Sequence, residues 1–143
     1  LGFPGERESD RRQIADFLRR GRFLWAGFFL YSPEEDTPAA ERAGSLGARW
    51  ARRRAARIKP QLEALQSGIS RELLQGFVGA EMRLLVEEPV QKEDLAIVRG
   101  YIHAPEVDGA AVLHGEALSA GQTVNARITG VNGIDLEAIP LLR

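Results

Sequence analysis

Residue types able to do bond chemistry are scarce in this chain, and that scarcity is the first constraint on function. There is no cysteine among 143 residues, which excludes disulfides, a thiolate zinc site and iron–sulfur ligation by this chain. His103 and His114 are the only imidazoles, too few for a metal site, and no nucleophile–base pair stands out. What remains is binding chemistry, at three places. The glycines of Gly2-Phe3-Pro4-Gly5-Glu6 let backbone approach a nucleotide closely where a parallel strand ends, although a plain turn is the other reading. Arg49, Arg53 and Arg57, at i, i+4 and i+8, form a basic stripe with Arg52, Arg54 and Lys59 around it. Phosphates need such charge and an aromatic neighbour, here only Trp50; a solvated helix face is the blander reading. Lastly, Ala104-Pro105-Glu106-Val107-Asp108-Gly109 sets two acids on a turn, where they could pair with Lys or Arg of a partner.

The composition bounds the setting. The length suits one domain or two small ones, and 44% hydrophobic residues suffice for a core. Net charge is -1, but it is unevenly spread. Residues 1–78 carry 14 Lys/Arg against 10 Asp/Glu, whereas residues 79–143 carry 5 against 10. Such a split suggests two units with different neighbours. The apolar run Leu24–Tyr31 is far below the roughly 18 residues a membrane helix needs. No signal peptide is visible, so a cytoplasmic location is expected. The chain opens on Leu1 inside a motif, which points to a fragment.

The elements that must position these residues can be read from periodicity. Residues 1–31 read as the tail of a strand, a helix and a second strand. Ser9 or Asp10 can cap the helix, Ile14, Phe17 and Leu18 give its apolar face, and Gly21 is a natural left-handed stop. Leu24–Leu30 is apolar on both alternating faces, as a doubly buried parallel strand is. Thr37 is placed to cap a short turn with Pro38 at its first position. From Ala48 to about Gln75 the pattern is helical, with Trp50, Ile58, Leu62, Leu65, Ile69 and Leu73 near one face. Pro60 predicts two helices or a kink. Beyond Gly76 the alternation of Met82, Leu84 and Val86, and of Val124, Ala126 and Ile128, reads as strands. Leu95–Ile102 and Ala110–His114 fit two more, and Asn132-Gly133 is the strongest hairpin signal.

The expected fold class is therefore α+β, ending in a small five-stranded antiparallel barrel of the OB type. Its expected divisions are residues 1–47, a helical linker over 48–76, and the barrel over 77–143.

Three segments carry a family resemblance: Gly2–Glu6, Tyr31-Ser32-Pro33-Glu34-Glu35-Asp36-Thr37-Pro38-Ala39-Ala40, and Ala104–Gly109. In this order they resemble the C-terminal part of the radical-SAM methylthiotransferases. The best match is the branch that modifies an aspartate of a ribosomal protein, the RimO type, to which Pro33-Glu34-Glu35 and Ala104–Gly109 are similar. The tRNA-adenosine branch usually has a basic residue where Glu34 stands. The chain departs from the pattern at Asp36, where the family has glycine, and at Leu136–Pro140, which lacks the family's Gly-Glu. The β unit resembles the TRAM domain that ends these enzymes, and residues 1–47 the last strand-helix-strand of a partial barrel.

The resemblance implies S-adenosylmethionine and two four-iron–four-sulfur clusters in the complete enzyme. One cluster would cleave S-adenosylmethionine to a radical and the other would supply sulfur. Gly2, Phe3, Pro4 and Gly5 would lie near S-adenosylmethionine in that context only. This chain alone is expected to bind neither cofactor and to be inactive. Its barrel, acidic by composition, is expected to recognise a basic small-subunit ribosomal protein through Pro105, Glu106, Asp108 and Gly109. The alternatives are a freestanding module in which the basic helix, through Arg49, Arg53 and Arg57, and the barrel hold RNA or ribosome, or the tRNA-adenosine methylthiotransferase branch.

Overall fold

In the computed structural model, which describes residues 1–44, 46–90, 92–104 and 108–141, the first element is α1 (Glu8–Gly21). It starts before Ser9 or Asp10 could cap it. Arg7 is the capping residue, and the Asp10 carboxylate reaches back to accept its N–H at 2.8 Å. Glu8 and Asp10 in the first turn and Arg19 and Arg20 in the last complement the helix dipole. The left-handed residue that ends it is Arg22 (φ 45°), not Gly21. Gly21 serves differently: a Cβ there would lie 2.4 Å from the Phe23 ring, which folds back on Phe17 with centroids 5.1 Å apart.

The two strand ends flanking α1 meet through two hydrogen bonds. The Leu1 amino group donates to the Phe29 carbonyl at 2.7 Å, and the Tyr31 N–H donates to the Leu1 carbonyl at 2.8 Å. Bonds offset by one residue on either side of Leu30 are the pattern of a parallel pair. The expectation that Leu24–Leu30 is buried on both faces does not hold. The segment forms no regular strand, and Phe29 is 83% exposed. Leu24, Trp25, Ala26 and Phe28 are half-buried, while Gly27 and Leu30 are exposed with Phe29. The long helix Leu46–Gln75 does hold the start of this segment, since the Gln66 side-chain amide donates to the Phe23 carbonyl at 2.7 Å.

A short helix, α2 (Pro38–Ala43), follows. The Thr37 hydroxyl oxygen accepts from the Ala40 N–H at 3.2 Å and donates to the Glu34 carbonyl at 2.9 Å. Next, α3 (Leu46–Gln75) runs on through Pro60 as one helix, so the expected division into two helices does not occur there. Pro60 and Ala56 both face solvent, where water satisfies the carbonyl that proline leaves without a donor. The buried face of α3 begins with Ala48, Ala51 and Ala55 and continues with Leu62, Gln66 and Ile69. Trp50, expected on that face, is exposed.

Two units result, Leu1–Ile69 and Ser70–Arg143. The second contains β1 (Glu81–Pro89), β2 (Leu95–Arg99), β3 (Ala111–His114), β4 (Thr123–Asn132) and β5 (Asp135–Pro140), closed in the order β1-β2-β3-β5-β4. Four pairings are antiparallel and one, β3 with β5, is parallel. The alternation read from the sequence holds: Met82, Leu84, Val86, Ala126 and Ile128 point inward with Val98, Leu113 and Leu136. Register shifts at Glu87 and Thr129 give β1 and β4 the curvature that closure requires. The β4–β5 turn falls one residue later than Asn-Gly would put it. Asn132 pairs with Asp135, and Gly133 (φ 67°) takes the first of two loop positions, as in a type II′ turn.

Gly109 abuts this hairpin. A Cβ there would meet the Ile134 carbonyl oxygen at 2.5 Å, backbone that cannot swing aside. Gly109→Ala is expected to destabilise the barrel by about 1–3 kcal/mol. Gly68→Ala, on an open helical site, should instead stabilise by about 0.5–1 kcal/mol. Urea unfolding midpoints of the two variants check both signs.

Candidate functional site

In the first unit the two N-terminal motifs come together. Phe3 packs edge-on against Tyr31 at 5.1 Å, and Leu1 is the residue bracketed by Phe29 and Tyr31. The Glu6 carboxylate organises the loop: one oxygen accepts the Gly2 N–H at 2.6 Å, the other pairs with Arg11 Nε at 2.8 Å. Arg11 also reaches Glu8 at 2.9 Å. Its side chain is only 2% exposed, so this pair is made in a low-dielectric setting. Gly2 has φ 83°, and a Cβ on it would lie 3.1 Å from Ala55 Cβ. Its glycine character serves the close approach of the loop to α3. Gly5 (φ 96°) has nothing within 4 Å of its Cβ position and leaves an open side. Asp36 adopts φ 60°, a left-handed conformation that an Asp side chain tolerates.

On the barrel, the expected recognition residues Pro105 and Glu106 lie outside the described residues. Asp108 is half-buried, and its carboxylate accepts the Ala104 N–H at 2.8 Å, so it shapes the loop. Gly109 is consumed by the close approach to Ile134. Glu88 near the end of β1, and Glu93, Asp94 and Glu116 on the β1–β2 and β3–β4 connections, face solvent. Those connections are tied by the Gly115 N–H, which donates to the Asp94 carbonyl at 2.8 Å. Two other acids are paired, Glu81 with Arg127 and Glu87 with Arg99, each at 3.0 Å.

A second feature of the barrel escapes sequence reasoning. Leu85 pairs with Arg99 on one side and Thr123 on the other, which lines these three across neighbouring strands. Together with Arg83, Tyr101 and His103 they line a shallow groove, with the Tyr101 ring 81% exposed. The net negative charge of the segment conceals this basic, aromatic patch. Only the cross-strand register could have disclosed it.

His103 anchors the groove floor. It is buried, and its Nδ1 accepts the Gly100 N–H at 3.1 Å. Burial pushes its pKa below the ordinary 6.5, against the upward pull of Asp108, Asp135 and Glu87. The folded barrel therefore favours neutral imidazole, and the unfolded chain takes up a proton first. That contribution is fully present above the ordinary histidine value and is lost as pH falls through the lower folded value. The urea midpoint should drop between about pH 7 and about pH 5. His103→Asn, which keeps an acceptor but does not titrate, should flatten that dependence.

Among the described residues, no three His, Asp or Glu side chains cluster as a metal site, and no helix is long and apolar enough to cross a membrane. Arg49, Arg52, Arg53, Arg54 and Arg57 are all exposed on α3.

The fold of the second unit corresponds to a recognised class: residues 78–140 match the TRAM domain. The likeness extends well beyond the barrel. The ribosomal protein uS12 methylthiotransferase RimO of Treponema denticola is 41% identical over 97% of this chain and 32% of its own length. Those of Streptomyces coelicolor and Methylibium petroleiphilum are 39% and 38% identical, over 99% and 98% of this chain and 29% and 30% of theirs. The chain thus spans about a third of the length of the curated relatives it matches. It matches a C-terminal portion of the RimO methylthiotransferases, as the three motifs implied.

Proposed function

We propose that this chain is the C-terminal, substrate-recognising portion of a cytoplasmic radical-SAM methylthiotransferase acting on an aspartate of ribosomal protein uS12. The observation that carries this reading is the extent of the likeness. Relatives named for that modification align across α1, α3 and the barrel, not the barrel alone. A freestanding RNA module built of the basic helix and the barrel would leave the likeness over α1 without a reason. Residues 1–47 would complete a catalytic barrel, 48–76 would link, and 77–143 would hold the substrate protein.

The residues present do not fit an iron–sulfur cluster, because no thiolate exists to ligate one. Toward S-adenosylmethionine they offer more. Phe3 is half exposed, the open side of Gly5 is free, and the buried Tyr31 hydroxyl has no partner among the described residues. Gly2 contributes by fixing the loop, since its N–H is on Glu6 and its Cα on α3. These groups can bind and orient; the chain supplies no group that would break a bond. Anaerobic reconstitution of this chain should give no stoichiometric iron or sulfide and no cleavage of S-adenosylmethionine. Cluster bound at stoichiometry overturns that part of the reading.

Protein recognition is assigned to the loop Pro105–Gly109 and the acidic rim of Glu88, Glu93 and Glu116. Asp108 shapes the loop, and Glu106 is the acid assigned to the partner. Acids facing a basic ribosomal protein act mainly through the association rate. Surface-plasmon titration of the chain with that protein should show binding that weakens as salt rises from about 50 mM to about 200 mM. Glu106→Lys should slow association by about tenfold at the lower salt. Association indifferent to both salt and Glu106→Lys would sink the assignment.

A further inference from the structure

The two halves of α3 treat charge differently. Beyond Arg57, Lys59 pairs with Glu63 one turn on. Between Leu46 and Arg57 there are five arginines, at 49, 52, 53, 54 and 57, and no acid. None of the five has an ion-pair partner among the described residues. Arg49, Arg53 and Arg57 repel at the i, i+4 spacing. Arg49 also sets positive charge at the end of the first turn, which holds no acid, against the dipole. A merely solvated face has no reason to accumulate terms that oppose its own helix. An anion lying on it supplies one.

A second observation specifies the anion. Trp50 is 61% exposed and Leu46 72% exposed. At roughly 100° per residue, Leu46, Trp50, Arg53 and Arg57 share one side of α3, opposite the buried Ala48, Ala51 and Ala55. Trp50, Arg53, Arg54 and Arg57 line one groove. A planar indole held among guanidinium groups is a stacking platform for a nucleobase. The stripe places a charge roughly every 6 Å along the axis, a spacing suited to consecutive phosphates of an extended strand. A lipid surface is a poor fit, since only Leu46 and Trp50 are apolar there and a membrane-seated helix needs a broad apolar face. An acidic protein would satisfy the arginines but leave the indole without use.

We propose that this face of α3 binds single-stranded RNA, with Arg49, Arg53 and Arg57 on phosphates and a base stacked on Trp50. The inference is independent of the protein-recognition assignment, which concerns the barrel and is tested at Glu106.

The test is a fluorescence-anisotropy titration of the 143-residue chain against a short, unstructured, labelled RNA at several salt concentrations. The triple change Arg49→Gln, Arg53→Gln, Arg57→Gln should weaken binding by about tenfold or more at about 50 mM salt. It should also lower the salt slope by about two, three phosphates at about 0.7 each. Trp50→Ala should weaken binding by about fivefold or more, and Trp50→Phe should retain most of it. All four positions are exposed, and thermal unfolding of each variant confirms folding. Arg83→Gln with Tyr101→Ala, on the barrel groove, should leave affinity within about twofold. The proposal is overturned if the triple variant binds as the parent does, or if the barrel variant abolishes binding. It is equally overturned if Trp50→Ala has no effect while polyglutamate competes as well as RNA, which would make the face a general polyanion patch.

Discussion

A ring of strands in which every neighbour runs antiparallel must contain an even number, because direction alternates at each step. This barrel has five, so closure demands one parallel contact, and the chain makes it between β3 and β5. Parallel neighbours cannot be joined by a tight turn, so the seam must be fixed by other means. The Asp135 carboxylate accepts the Ala110 N–H at 2.8 Å, and the Leu136 N–H donates to the Ala110 carbonyl at 3.0 Å. Gly109 lets the two backbones approach. Gly109, the last residue of the Ala104–Gly109 motif, is thus tied to closure of the barrel.

In the first unit the corresponding constraint is electrostatic. Arg11 is nearly inaccessible, and its charge is tolerated because Glu6 and Glu8 lie beside it. Removing one partner of a buried pair costs about 3–5 kcal/mol, since the other is left uncompensated. Glu6 also holds the Gly2 N–H, so the same carboxylate sets the loop and anchors α1. The motif glycine and the motif glutamate are parts of one device, in which Gly2 allows the approach to Ala55 and Glu6 secures it.

Much of this was legible in the sequence, for stated reasons. Strands with one face buried announce themselves by alternation, and Met82, Leu84 and Val86 did so. Thr37-Pro38 marked a helix start because capping is local chemistry. Failures occurred where non-local context decided. Pro60 reads as a break, but its exposed position makes the lost hydrogen bond cheap. Leu24–Leu30 reads as a buried strand, but burial depends on neighbours that periodicity does not count. The left-handed residue after α1 is Arg22, because the ring of Phe23 occupies the space over Gly21. At the candidate sites, the arginine stripe was visible from spacing alone. The Arg83–Tyr101 groove was not, because it is assembled across strands whose register the linear order conceals.

The two-residue turn at Gly133-Ile134 has an evolutionary reading. It sets the pairing of β4 with β5 and also supplies the carbonyl against which Gly109 is seated. Lengthening it by a single residue would invert the inward and outward faces of β5 and unseat the β3 seam at once. The stretch from Glu116 to Ala120 is mostly exposed and belongs to no strand, and so can absorb insertions. Length variation among descendants of this barrel should therefore collect between β3 and β4, while the opposite hairpin stays fixed in size even as its side chains drift.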